Sequence, residues 1–127
     1  MGTRSTIAIE KADGTVKQIY CHYDGYPSHN GKILMDHYSD PSVLAEIIEF
    51  GAIRSLYSTV EETKESSFAY LRGEDLQIEV FKDFEDYKDN HAEEEYEYIL
   101  RNDGKWYVKT FHFNYNPLET AFGQEEA

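Results

Sequence analysis

The sequence predicts an α+β fold: an antiparallel β-sheet built from N- and C-terminal hairpins, with short helices packed on one face. Three observations carry the prediction. Apolar alternation flanks an Asp-Gly turn near each end of the chain, at Asp13-Gly14 and Asp103-Gly104. Capped helical spacing occupies the middle. No repeat with a solenoid period recurs. The 127 residues suffice for a single domain with its own core, placed at residues 1–116. An acidic tail over 117–127 is expected to fray.

The first hairpin comes from "TRSTIAIEKADGTVKQIYCHY". Ile7 and Ile9 alternate with Thr6, Ala8 and Glu10, while Ile19 and Cys21 alternate with Gln18, Tyr20 and His22. Ile7, Ile9, Ile19 and Cys21 therefore face the core. "DGYPSHNG" follows as a tight loop, because Asp24-Gly25 and Pro27 punctuate the chain. Ile33, Leu34 and Tyr38 then recur at helical spacing in a short helix that ends before Asp40-Pro41. "DPSVLAEIIEFG" is the clearest helix. Asp40 or Ser42 caps it, Pro41 suits its first turn and Gly51 closes it. Val43, Leu44, Ile47, Ile48 and Phe50 make its apolar stripe.

Residues 52–64 permit one further helical turn. "SSFAYLRG" and "LQIEVF" read as strands around a Gly73-Glu74 turn. "KDFEDYKDNHAEEE" reads as a short acidic helix with Phe84 and Tyr87 inward. The second hairpin turns at Asn102-Asp103-Gly104. Tyr96, Tyr98 and Leu100 share one face, and Trp106, Val108 and Thr110 run down the return strand.

Charge is the strongest global signal. Asp and Glu number 25 against 12 Lys and Arg, a formal net charge of −13. Such a chain is repelled by nucleic acid and anionic membranes and drawn to basic surfaces, so direct contact with either polyanion is disfavoured. Solubility alone is the plainer use of that charge. No apolar run reaches the length of a membrane span, and the N-terminus lacks the apolar block of a secretory signal. The single Cys21 can form no internal disulfide, which fits a reducing cytoplasm.

Two stretches hold candidate sites. In "YCHYDGYPSHNG", Tyr20, His22, Asp24, Tyr26 and His29 form a corner. An imidazole and a carboxylate two residues apart can serve as a general base, or can join His29 in holding a metal, with His37 and His112 as further ligands. The structural alternative is that Asp24-Gly25 turns the chain, Pro27 stiffens it, the tyrosines pack and His22 hydrogen-bonds Asp24. An isolated HxD is a thin pattern, and the chain has no phosphate-binding loop and no nucleophile elbow. No catalytic residue is assigned, and no cofactor is expected.

The second stretch carries Asp83, Glu85, Asp86, Asp89, Glu93, Glu94, Glu95 and Glu97, with Lys88 its only cation. Tyr87, Tyr96 and Tyr98 interleave with them. Spaced carboxylates can imitate the phosphates of a duplex while aromatic side chains anchor a partner. The alternative is a solvated acidic face.

The opening Thr3, Arg4 and Ser5, the segment Cys21 to Pro27 with Asn30 to Leu34, and Tyr96, Tyr98 and Asp103 to Tyr107 together resemble a group of small proteins of tailed bacteriophages and prophages. "HYDGYP" is the most specific part, and the matching residues run over most of the chain. The resemblance implies no reaction. It implies an accessory gene product acting inside a bacterium, of a kind that often binds and blocks host enzymes.

The leading expectation is a non-enzymatic accessory protein. It would bind and inhibit or redirect a host protein with a basic, nucleic-acid-binding surface in the host cytoplasm, by acidic mimicry of DNA. The alternative is a small-ligand binder holding a nucleotide or metal at the His22/Asp24 corner, which needs Arg4, Lys32 or Arg54 nearby to accept a phosphate. A hydrolase built on His22 and Asp24 comes third, for want of a nucleophile. The sequence leaves a homodimer open.

Overall fold

The computed structural model describes residues 3–73, 75–90, 94–110 and 115–118. β1 (Ser5–Glu10) and β2 (Val16–Cys21) form the predicted hairpin, with Ser5 opposite Cys21 and Glu10 opposite Val16. Asp13 accepts from the Thr15 hydroxyl at 2.6 Å and its amide at 3.0 Å, which holds the carboxyl below its usual range. A wide π-type turn over Pro27–Gly31 follows, where a simple loop was expected; the Lys32 amide reaches back to the Pro27 carbonyl. It leads directly into α1 (Lys32–His37) and then α2 (Pro41–Ile48). Asp40 caps α2 by accepting from the Ser42 amide at 2.9 Å, as its sequence predicts.

α3 (Val60–Glu65) begins at Thr59, whose hydroxyl accepts from the Glu62 amide at 3.2 Å and donates to the Glu62 carboxylate at 2.9 Å. α4 (Phe68–Arg72) replaces the strand expected for "SSFAYLRG". Ser67 caps its start and Gly73, at φ 68°, closes its end, and these two terminal signals outweigh the β preference of its aromatic residues. The strand expected over 76–81 shrinks to β3 (Glu79–Phe81), because the Leu76 carbonyl is taken by the Ala52 amide at 2.8 Å. α5 (Phe84–Asn90) and the hairpin of β4 (Tyr96–Leu100) with β5 (Trp106–Thr110) follow as expected. β6 (Asn116–Pro117) adds a short edge, and Leu118 is buried, so ordered packing continues past residue 116. Residues 119–127 of the expected tail lie outside the described residues.

The strands form one six-stranded sheet in the order β3-β2-β1-β4-β5-β6. Its pairs are antiparallel except at the centre, where β1 and β4 run parallel, from Ser5 opposite Tyr96 to Ile9 opposite Leu100. The two predicted hairpins thus meet side by side. On one face Ile7, Ile9, Ile19, Cys21, Tyr98 and Leu100 pack against Leu34 of α1, Tyr38, and Leu44, Ile47 and Ile48 of α2. On the other, Ala8, Val16 and Ile99 meet Phe81 and Tyr87. The helices are therefore not confined to one face: α5 covers the second. Among the described residues no helix is long and apolar enough to cross a membrane.

Gly51 ends α2's descent at φ 75°, and a Cβ there would collide with the Leu76 backbone carbonyl. Gly51→Ala is expected to lower stability by at least about 2 kcal/mol, read from the urea midpoint. Gly14→Ala, whose Cβ would meet open space at φ 93°, is expected to cost less.

Candidate functional site

The corner after β2 is built by backbone needs first. Asp24 adopts a left-handed φ of 58°. The Gly25 amide donates to the Thr3 carbonyl at 2.7 Å, and a Cβ on Gly25 would lie 2.7 Å from that oxygen and from Ser5 Cβ. Glycine is thus required for close approach to the start of β1. The Tyr98 hydroxyl donates to the Gly25 carbonyl at 2.5 Å, tying β4 to the same loop. Below it sits fully buried Asn30, which donates to Ser5 Oγ and Cys21 Sγ at 3.3 Å each. Burial pushes the Cys21 thiol up to about 11, so at neutral pH it is a neutral packing group rather than a nucleophile.

The polar side chains that suggested chemistry do not converge. Nδ1 of His22 lies 2.8 Å from the Tyr20 hydroxyl, and its ring meets Tyr23 edge-on at 4.5 Å. It makes no hydrogen bond with Asp24, in contrast to the pairing expected from their spacing. Nδ1 of His29 lies 2.9 Å from Asn30 Oδ1, and its ring is tilted 6.0 Å from Tyr26. His37 is exposed at the end of α1, and His112 lies outside the described residues. Among the described residues no three His, Cys, Asp or Glu side chains gather as a metal site requires.

The acidic stretch divides. Asp83 accepts from the Asp86 amide at 2.7 Å and so caps α5. Asp86 accepts from the Lys82 amide at 3.0 Å and the Asn90 side chain at 2.7 Å, and these bonds hold its carboxyl below the usual range. Glu85 pairs with Lys88 at 3.1 Å, and Asp89 is exposed. Glu94 and Glu95 are half-buried, and burial raises the Glu94 carboxyl against the pull of Arg4. Glu93 lies outside the described residues.

Glu97, Tyr87 and Tyr98 correct the expectation. Glu97 is 1 % exposed on β4, where the Tyr115 hydroxyl donates to it at 3.0 Å and Lys109 Nζ stands 3.8 Å away. Tyr87 is fully buried between Phe81 and Tyr115, and Tyr98 is fully buried on the opposite face. Neither ring can anchor a partner, because each is already part of the core. Tyr96 is half-buried and stacked 6.4 Å from Tyr98.

Apart from Tyr23 in the corner, the exposed large apolar side chains among the described residues lie elsewhere. Tyr57, Tyr70, Leu71, Leu76 and Val80 are exposed by 43 to 61 %, all within the segment holding α3, α4 and β3. A strand over 66–73 would place Tyr70 and Leu71 on opposite faces, and the Ser67 and Gly73 caps were the signal for the helix that exposes both. No family model, no curated protein and no solved structure matches this chain.

If the corner is held as described, Asn30→Ala should cost about 1–3 kcal/mol, whereas His22→Ala should stay within about 0.5 kcal/mol in urea titration. Iodoacetamide at about pH 8 should leave Cys21 unmodified in the native protein and alkylate it in urea, as read by intact mass.

Proposed function

We propose that this protein is a non-enzymatic accessory protein of phage type. It binds a host protein with a basic, nucleic-acid-binding surface in the host cytoplasm, and inhibits or redirects it. The observation that carries the reading is a set of fixed, solvent-facing carboxylates on a chain of net charge −13. On α5, the hydrogen bonds that cap the helix also hold Asp83 and Asp86 in place, with Glu85 and Asp89 beside them. Charges fixed before contact cost less ordering entropy on binding.

Magnitude decides which form of the idea is favoured. The four carboxylates of Asp83, Glu85, Asp86 and Asp89, less Lys82 and Lys88, leave two net negative charges, spread over about 10 Å of helix. A single DNA strand carries one charge per about 3.4 Å. α5 is therefore sparser than the polymer it would imitate. Attraction by the summed field, with Glu61, Glu62 and Glu65 of α3 contributing, is better supported than phosphate-for-phosphate mimicry.

A second reading, a small-ligand site at the corner, draws support from a strip of rings. Tyr20, His22 and Tyr23 follow one another at 5.9 and 4.5 Å, and the Arg54 guanidinium stands 5.9 Å over Tyr23. Rings of this kind stack on bases, and a guanidinium accepts a phosphate. A flat thermal-shift response to nucleotides and divalent cations would remove it, since ligand at about 100 Kd adds about 2.7 kcal/mol.

The primary reading is tested by using the protein as bait in bacterial lysate at about 50 and about 500 mM salt, with duplex DNA as competitor. A host protein retained at low salt, released at high salt and displaced by DNA is expected. A partner held equally at both salts and indifferent to DNA overturns the reading.

A further inference from the structure

α3 and α4 border an open cleft of about 350 Å³ whose walls include Arg54, Tyr57, Glu62, Glu65 and Leu71. Its floor is rigid. The Ser66 hydroxyl donates to the Ser55 carbonyl at 2.6 Å and to the Thr63 carbonyl at 2.8 Å, and the Arg54 amide donates to the Ser66 carbonyl at 2.9 Å. Tyr57 is clamped with equal care. Its carbonyl accepts from the buried Tyr38 hydroxyl at 2.6 Å and from the Thr63 hydroxyl at 3.1 Å, and its amide donates to Thr63 Oγ1 at 3.1 Å. Yet its ring is 43 % exposed, facing a cavity where Leu71 is 46 % exposed. An aromatic ring on a locked backbone, left in solvent beside an aliphatic side chain, is the makeup of an interface anchor point rather than of a core.

The charges select the occupant. Glu62 is fixed by its bonds with Thr59, and Glu65 stands one turn along the same helix. The Arg54 guanidinium lies over Tyr23. Two carboxylates against one guanidinium leave the cavity negative, inside a molecule that is itself strongly negative, so an anion is opposed and a cation drawn in. Among cations, a planar and weakly hydrated guanidinium stacks on Tyr57 at low desolvation cost while its methylenes lie on Leu71; the strongly hydrated ammonium of a lysine makes the same contacts less favourably.

We infer that the cleft between α3 and α4 receives an arginine side chain of a basic protein partner. The inference rests on the reading above and names where that partner is gripped. The cleft and α5 share an edge of the sheet. Cys21 pairs with Ser5 on one side and bridges Ile53 on the other, and Ile53 in turn bridges Ser67 at the start of α4, on the side of β2 that also carries β3. α5 packs beside β3 on the second face of the sheet. Charge on α5 can thus steer a basic segment toward the anchor.

The test is a ¹H–¹⁵N titration with an acetylated, amidated hexa-arginine peptide at about 20 mM salt, repeated with hexa-lysine. Shift changes are expected at the amides of Arg54 to Tyr57, Glu65 and Leu71, and hexa-lysine should bind at least about fivefold more weakly. Tyr57→Ala and Glu65→Lys should each weaken binding at least about tenfold, Tyr57→Phe should restore it, and Glu46→Lys, the same charge change on α2, should alter it less than about threefold. Binding that is unchanged in Tyr57→Ala, equal for the two peptides, or mapped onto α5 overturns the cleft and leaves the basic-partner reading standing. Failure of both peptides to bind at low salt overturns the two together.

Discussion

The structure depends on β1 being covered on both faces. All six of its residues are buried, from Ser5 to Glu10, because it pairs with β2 on one side and β4 on the other, with packing above and below. Burying Ile7 and Ile9 toward α1 and α2 contributes about 1.5–3 kcal/mol each, and that face supplies most of the hydrophobic stabilisation. The opposite face carries smaller and more polar side chains: Thr6, Ala8 and Glu10. It needs a cover that brings its own polar partners. α5 and Tyr115 provide it, with Tyr87 over Ala8 and Val16 and the Tyr115 hydroxyl donating to Glu97.

The central parallel pair poses a problem that the hairpins do not. A hairpin's register is set by its turn, but β1 and β4 are joined through two thirds of the chain, so no turn aligns them. A buried charge does so instead. Glu10 accepts from Arg101 Nε at 3.0 Å, Arg101 Nη2 at 3.3 Å and the Asn102 amide at 3.1 Å, just past the end of β4. Arg101 also lies 3.7 Å over the Phe84 ring, which brings α5 into the same lock. A one-residue slip of β4 would turn Tyr98 and Leu100 away from their core and break all of these contacts. Buried ion pairs add little net stability, and specifying alignment is their better-attested use.

What the sequence made legible was local. Asp-Gly turns and alternation located both hairpins, and Asp40-Pro41 with Gly51 delimited α2, because those signals act within a few residues. The parallel junction and the covering of the second face arise from contacts some ninety residues apart, which no local pattern records. That is why Glu97 looked available; Tyr87 and Tyr98 lie where the helical and alternating patterns point inward, and their burial follows those patterns. Alternation separates two faces of a strand; it does not say whether a distant element later covers the polar one. The corner misled for a different reason. "YCHYDGYPSHNG" looks reactive because turning a strand into a helix consumes the same residue types as catalysis: Asp24 for a left-handed backbone, Gly25 for close approach, and Asn30 to satisfy the buried Ser5 and Cys21.

The charge surplus separates in the same way into what the fold uses and what it does not. Asp13 and Asp103 fix the two hairpin turns, Asp40 and Asp83 cap helices, Glu62 holds the capping hydroxyl of Thr59, and Glu10 and Glu97 are buried with partners. Several sit in first helical turns, where the helix dipole favours them. The remaining exposed carboxylates repel one another and work against the compact state. Added salt screens that repulsion, so folding should tighten as salt rises while attraction to a basic surface weakens. The two dependences have opposite signs. Loss of a partner at high salt therefore reports on the interface itself, since unfolding of this chain would move the other way.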